Sequence, residues 1–159
     1  MADPHPQPLG DDTGDDLAVR LTLLNAALAT KVVCVRRYTR HALRANGPHH
    51  QAVKAAFGQH AREEQDHALR LAERIQQLGG RPDFNLGGLM PRGDTHDDEG
   101  RTLVELLREN LEAERLAIAT YRDLIPYFAE HDPTTQRLLE ELLTEEEAHA
   151  SALHALLEP

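Results

Sequence analysis

Cysteine is almost missing from this sequence: Cys34 is the only one. That excludes a framework of intramolecular disulfides and suits a reducing compartment. Aromatic residues are scarce as well, at 4% of the 159 residues, while 28% are charged. With Leu, Ala, Glu and Arg dominating, this is the composition of long helices rather than of sheets. Basic residues are outnumbered, 17 Lys and Arg against 27 Asp and Glu, for a net charge of −10. A chain that grips DNA through its phosphates needs a basic footprint, so the expected partners are cations and not nucleic acid. No stretch reads as long and apolar enough to span a bilayer or form a signal-peptide core, so the expectation is a soluble, cytoplasmic protein with no membrane partner. The length suits one domain able to bury a core without staples.

The patterning that is present divides the chain. Residues 1–16 hold three prolines, two glycines, five aspartates and no Lys or Arg, which predicts a flexible acidic tail. Residues 17–157 then read as one all-α domain. Apolar residues recur at Leu17, Leu21, Leu24, Leu28, Val35, Tyr38 and Ala42, stopping near Asn46-Gly47-Pro48. This 4-3-4 rhythm predicts a helix over 16–45, and the position it skips is Lys31. A second helix is expected over about 49–78, with Phe57, Leu71, Ile75 and Leu78 on its stripe and His60, Glu64 and His67 where apolar residues belong. After a loop of about twenty Gly-, Pro- and acid-rich residues, a third helix over roughly 101–130 is interrupted at Asn110 and Glu114. A fourth, started by Pro133 and running to about 157, is interrupted at Glu146 and His149.

Four amphipathic helices in two hairpins joined by a long crossover make a four-helix bundle, in which these interruptions meet at one level. Of the ten histidines, only His67 and His149 have a Glu three residues earlier, and each pair lies on the buried stripe of the second helix of a hairpin. Glu64 with His67, Glu146 with His149, and Glu114 would then share one buried place. Three carboxylates and two imidazoles are costly to bury dry. A metal is the usual remedy, and a Glu-x-x-His from each of two helices is the donor pattern of di-iron and di-manganese carboxylate bundles. Such donors suit iron first, with manganese or zinc as alternatives. His60 reads as a polar residue at the rim of the bundle or lining an entry path rather than as a ligand. Tyr38 and Tyr121 lie two turns beyond Lys31 and Glu114; either could hydrogen-bond the site, but an ordinary core tyrosine is the favoured account. Cys34 reads as a small buried hydrophobe.

At this point the sequence resembles the ferritin-like superfamily, and bacterioferritin most closely, over roughly residues 17–157. The resemblance is carried by LLNAALATKVVCVRRYTRHA, EEQDHALRLAERIQQLGGRP, NLEAERLAIATYRDLI and LLEELLTEEEAHASALHALL. It implies ferroxidase-type metal ligands at Glu64, His67, Glu114, Glu146 and His149, with Glu64 and Glu146 as bridging carboxylates and Tyr38 as a neighbour of the site. Three departures qualify it. Lys31 stands where the family has a glutamate. Gln65 stands where bacterioferritin has its haem-ligating methionine, so no haem is expected. The chain ends ten residues after His149, without the family's short fifth helix, so a smaller cage like that of the starvation-induced ferritins (Dps), or a dimer, is the expected homo-oligomer.

Lys31 changes the charge balance of that implied site. Four carboxylates neutralise two divalent ions, whereas three carboxylates and an ammonium neutralise one. At an effective dielectric of ~20, two like unit charges ~4 Å apart repel by about 4 kcal/mol, so a second ion should bind weakly. The ion displaced should be the one served by the helix-one position and His67. The expected function is iron binding for storage or detoxification, with ferroxidase activity slow or absent. The alternatives are a metal-free structural protein in which Lys31 bridges Glu64 or Glu114 as a buried ion pair, or a redox enzyme of the same architecture.

Overall fold

The computed structural model describes residues 14–85 and 98–158, and places them in four helices: α1 (Gly14–Arg44), α2 (Gln51–Gln77), α3 (Leu103–His131) and α4 (Pro133–Leu157). Among the described residues there is no strand. The expected all-α four-helix bundle is the fold. Helix α1 starts earlier than its hydrophobic rhythm suggested, so Asp15 and Asp16 form its first turn rather than part of the tail, where their charges complement the helix dipole. Residues 1–13, the rest of that expected tail, lie outside the described residues.

The helix ends have local causes. Thr102 caps α3 in a reciprocal box: the Glu105 amide donates to Thr102 Oγ1, and Glu105 Oε2 accepts from the Thr102 amide. Asp132 caps α4 by accepting from the Thr135 amide, with Pro133 at the first helical position. Helix α3 runs through Pro126 without a break.

Helices α1 and α2 form one hairpin and α3 and α4 the other, with α2 against α4 and α1 against α3. The described ends of the α2–α3 connection show the crossover. Near its beginning, Asn25 Nδ2 donates to the Arg81 carbonyl and Asn25 Oδ1 accepts from the Asp83 amide, beside the first half of α1. Near its finish, Asp98 accepts from Arg40, fifteen residues further along α1 than Asn25. Gly80 lets the chain leave α2 close to α1. A Cβ built there would stand 2.5 Å from Leu21 Cδ2 and 3.2 Å from Ile75 Cγ2. Gly80→Ala should therefore cost about 1–3 kcal/mol through overpacking, read as a lower urea midpoint with an unchanged m-value.

The core is two apolar clusters. One contains Leu24, Leu28, Leu71, Ile75, Phe128, Leu139 and Leu142; the other contains Tyr38, Phe57, Leu106, Leu107, Leu111 and Leu153. Between them the helices place buried charged and polar residues at one level. Helix α1 corrects one sequence expectation. It is long and apolar enough to cross a membrane by length and composition alone, although Leu24, Ala27 and Leu28 pack it into the bundle core.

Candidate metal centre

Each helix contributes to the polar layer through its own periodicity. Three residues span most of a helical turn, so Glu64 and His67 project together from α2, and Glu146 and His149 from α4. Glu114 comes from α3, and Lys31 and Tyr38 come from α1. Glu64, His67 and Glu146 have no exposure, and Lys31 has 1%. The structure thus brings together all five residues read from the sequence as metal ligands, together with Lys31 and Tyr38.

The two carboxylates that face each other across the layer divide their oxygens between two sides. On one side, Lys31 Nζ lies 2.9 Å from Glu64 Oε2 and forms an ion pair with Glu146 Oε1. His67 Nδ1 faces the same two oxygens, at 3.4 and 3.2 Å. The ammonium also sits 5.5 Å from the centre of the Tyr121 ring, within range of its π face. On the other side, His149 Nδ1 lies 3.5 Å from Glu64 Oε1, 3.6 Å from Glu146 Oε2 and 3.4 Å from Glu114 Oε1. Tyr38 Oη donates to Glu114 Oε1 at 2.6 Å. Ligand atoms of Glu64, Glu114, Glu146 and His149 all lie within 4.8 Å of one another, and His67 belongs to no such group among the described residues.

Buried polar atoms without a hydrogen bond occur on both sides; on the first, Glu64 Oε2 relies on its ion pair with Lys31, and the other three are on the second. Glu64 Oε1, Glu146 Oε2 and His149 Nδ1 are buried without a hydrogen bond. Buried polar atoms without hydrogen bonds are costly, and three carboxylates with one imidazole around a common point fit a divalent cation. Electrostatics mark the same atoms. Burial opposes the charge on His149, but Glu114, Glu146 and Glu64 overcome it and push the imidazole up to about 12. Burial, then the neighbouring Glu146, pushes Glu114 up to about 8. His67 is raised to about 10 by Glu146 and Glu64 against its burial. Burial opposes the charge on Lys31, but Tyr121, then Glu64 and Glu146, hold it well above its ordinary value.

A family model described as the ferritin-like domain matches residues 21–159. The chain belongs to the ferritin-like family. Its sequence is 31% identical over 156 residues to the DNA protection during starvation protein of Pyrococcus furiosus, covering 96% of this chain and 84% of that one. Its fold matches a dodecameric thioferritin, the bacterioferritin-related protein of Bacteroides fragilis, with a TM-score of 0.81 and 30% identity over 89% of this chain and 86% of that one. A ferritin-like diiron-carboxylate protein from Bacillus anthracis matches with a TM-score of 0.78 and 26% identity, covering 92% of this chain and all of the other.

At this ferritin-like centre Tyr121 and Cys34 are buried as expected, whereas His60 and Asn110 differ from the sequence reading. His60 is not at a rim. It is 5% exposed, its ring stacks on His149 with centroids 4.2 Å apart, and its Nδ1 lies 3.3 Å from Tyr38 Oη. Burial and the charge of His149 push it down to about 4, so it stays neutral. A stripe break does not reveal which neighbour fills the space across the bundle, and here that neighbour is an imidazole. Asn110 breaks the α3 stripe for another reason. Its Nδ2 donates to His41 Nδ1 at 2.7 Å and to the Leu106 carbonyl at 2.9 Å, and its Oδ1 accepts from Arg37 Nε at 3.1 Å. Tyr121 is a core tyrosine whose hydroxyl is buried without a partner. Cys34 is buried and accepts from Arg37 Nη2 at 3.3 Å.

The sequence reading overlooked two residues altogether. Glu63 accepts from His149 Nε2, and Glu145 from His67 Nε2. The available signal was the doubled acid before each pair, Glu63-Glu64 and Glu145-Glu146, which makes both motifs Glu-Glu-x-x-His.

Proposed function

We propose that this chain is a ferritin-like metal-binding subunit that takes one divalent ion, iron in the first place, for storage or detoxification. The observation carrying the reading is the division of the Glu64 and Glu146 oxygens between an ammonium on one side and, on the other, Glu114 and His149 gathered round a common point. Glu64, Glu114, Glu146 and His149 would hold the ion. Lys31 takes the place of the second ion, beside His67. Manganese and zinc suit the same oxygen and imidazole donors. Bound iron would supply one-electron redox chemistry, so coupled oxidation of two ferrous ions within one subunit should be slow or absent. The names of the relatives, a starvation protection protein and a thioferritin, favour storage or protection. A homo-oligomer fits the dodecameric state of the B. fragilis relative.

In this reading the chain's own groups prepare the site. Tyr38 fixes Glu114 through its hydrogen bond. In the metal-free protein, Glu114 and His149 hold protons at neutral pH, and a divalent ion would replace those two charges. Uptake at pH 7 should accordingly release about two protons per chain, and apparent affinity should fall about 100-fold for each pH unit below about 8. Anaerobic titration with Fe(II) in weak buffer, followed by a pH indicator, measures both.

The competing reading is a metal-free structural protein, favoured by the double ion pair of Lys31. Thermal melts with Fe(II), Mn(II) or Zn(II) separate the two. At 100 times the dissociation constant, one ion adds about 2.7 kcal/mol, raising Tm by roughly 5–10 °C for a chain of this size. No shift with any of the three metals would sink the metal-binding reading.

A further inference from the structure

The two Glu-Glu-x-x-His motifs are strapped crosswise. Glu63 of α2 accepts from His149 of α4, while Glu145 of α4 accepts from His67 of α2. In each motif the second glutamate points into the buried layer. The first lies about 100° round the helix, at the half-exposed α2–α4 edge, where it meets the other helix's imidazole. A carboxylate on Nε2 keeps the proton on that nitrogen and aims the Nδ1 lone pair inward, at the ring orientation a metal needs. Glu63 is itself fixed, since its Oε1 accepts from Gln59 Nε2 at 2.8 Å. Glu145 is held instead by Arg70, whose Nη1 lies 3.1 Å from Glu145 Oε1.

In sequence the two straps are equivalent, but Lys31 makes them unequal. His149 belongs to the group of ligand atoms around one point, whereas His67 faces carboxylate oxygens already paired with the ammonium. We propose that Glu63 is a positioning residue for the bound metal, acting through His149, and that Glu145, its counterpart in the duplicated motif, has no such role. This rests on the single-ion reading above. In this chain, metal affinity depends on the α2 outer carboxylate and is indifferent to the α4 one.

The test compares the full chain with its Glu63→Gln and Glu145→Gln variants, each titrated with Co(II) alone. Affinity is measured by chelator competition, the ligand field by the visible absorption of bound Co(II), and folding by the melt of the metal-free protein. Glu63→Gln should weaken Co(II) binding 10- to 100-fold and shift the absorption bands. Glu145→Gln should stay within about threefold of wild type with an unshifted spectrum. If Glu63→Gln fails to fold, Gln59→Leu is the substitute. Gln59 is exposed, and freeing Glu63 there should weaken binding several-fold. Wild-type affinity and spectrum in the Glu63→Gln protein, or in Gln59→Leu where that stands in, would overturn the assignment. So would an equal loss in both glutamate variants. A wild-type chain that binds no Co(II) would overturn the single-ion reading itself, and is recognised before any variant is made.

Discussion

On the proposed single-ion reading, Lys31→Glu should raise the metal stoichiometry from one ion per chain to two. The substitution removes the ammonium from Glu64 Oε2 and Glu146 Oε1 and leaves those oxygens, with His67 Nδ1, facing a new carboxylate. Four carboxylates and two imidazoles then balance two divalent ions. The bundle already holds a hydroxyl suited to that carboxylate. Tyr38, two turns beyond position 31 on α1, donates to Glu114 of α3; Tyr121, two turns beyond Glu114 on α3, is the corresponding residue, and its hydroxyl is buried without an acceptor. Without metal, the variant gathers carboxylates with no cation from α1, and it should lose about 3–5 kcal/mol, the usual cost of breaking a buried ion pair. Equilibrium dialysis against Mn(II) or Zn(II) checks the stoichiometry. The expected change is from one ion per chain to two, with a Tm far more metal-dependent than that of wild type. A stoichiometry that stays at one would show that position 31 is not what limits the site.

Glu146→Gln should be the most damaging single change in the layer. Glu146 faces Lys31, His67 and His149 at once, and its carboxyl is driven far below the usual range by contacts that outweigh burial, Glu114 and His149 first among them. An amide leaves Lys31 and both imidazoles short of a negative charge in a dry interior. Loss of metal binding is expected, together with a destabilisation of about 3–5 kcal/mol, or a Tm lower by roughly 6–20 °C. The surface control Glu147→Gln, which removes only an exposed pair with Arg122, should stay within about 0.5 kcal/mol.

The same network sets the pH response of the metal-free protein. The depressed Glu146 stabilises the fold above the ordinary carboxylate value of ~4.3, and that contribution is lost as pH falls below it. The raised His149 and His67 stabilise fully below their unfolded value of ~6.5, and their contribution is lost as pH rises towards about 12 and about 10. Between those values the raised Glu114 lowers stability as pH rises while the depressed His60 raises it, so the two offset, and stability should be greatest between pH ~4.5 and ~6.5 and decline on both sides. Urea midpoints taken across that range in the presence of a chelator would show it.

Periodicity alone determined a great deal about this protein. The apolar rhythm, Asn46-Gly47-Pro48, the glycines after α2 and Pro133 determined four helices to within a few residues, because helix boundaries are written in local chemistry. The breaks in each stripe also named the residues that line the buried layer, since a charged side chain in register with leucines must point inward. Only the tertiary structure decided what those residues do to one another. It decided that Lys31 pairs with Glu64 and Glu146 rather than Glu114, that His60 stacks on His149, that Asn110 serves His41, and that Glu63 and Glu145 cross to the opposite helix. The reason is geometric. A sequence period gives the face a side chain leaves from, but the oxygen it meets depends on rotamers and on the stagger of four helices, which no local pattern encodes. In LATKVVCV, Lys31 was visible as a charge out of place. That its ammonium occupies one side of a divided pair of carboxylates became visible only when all four helices were brought together.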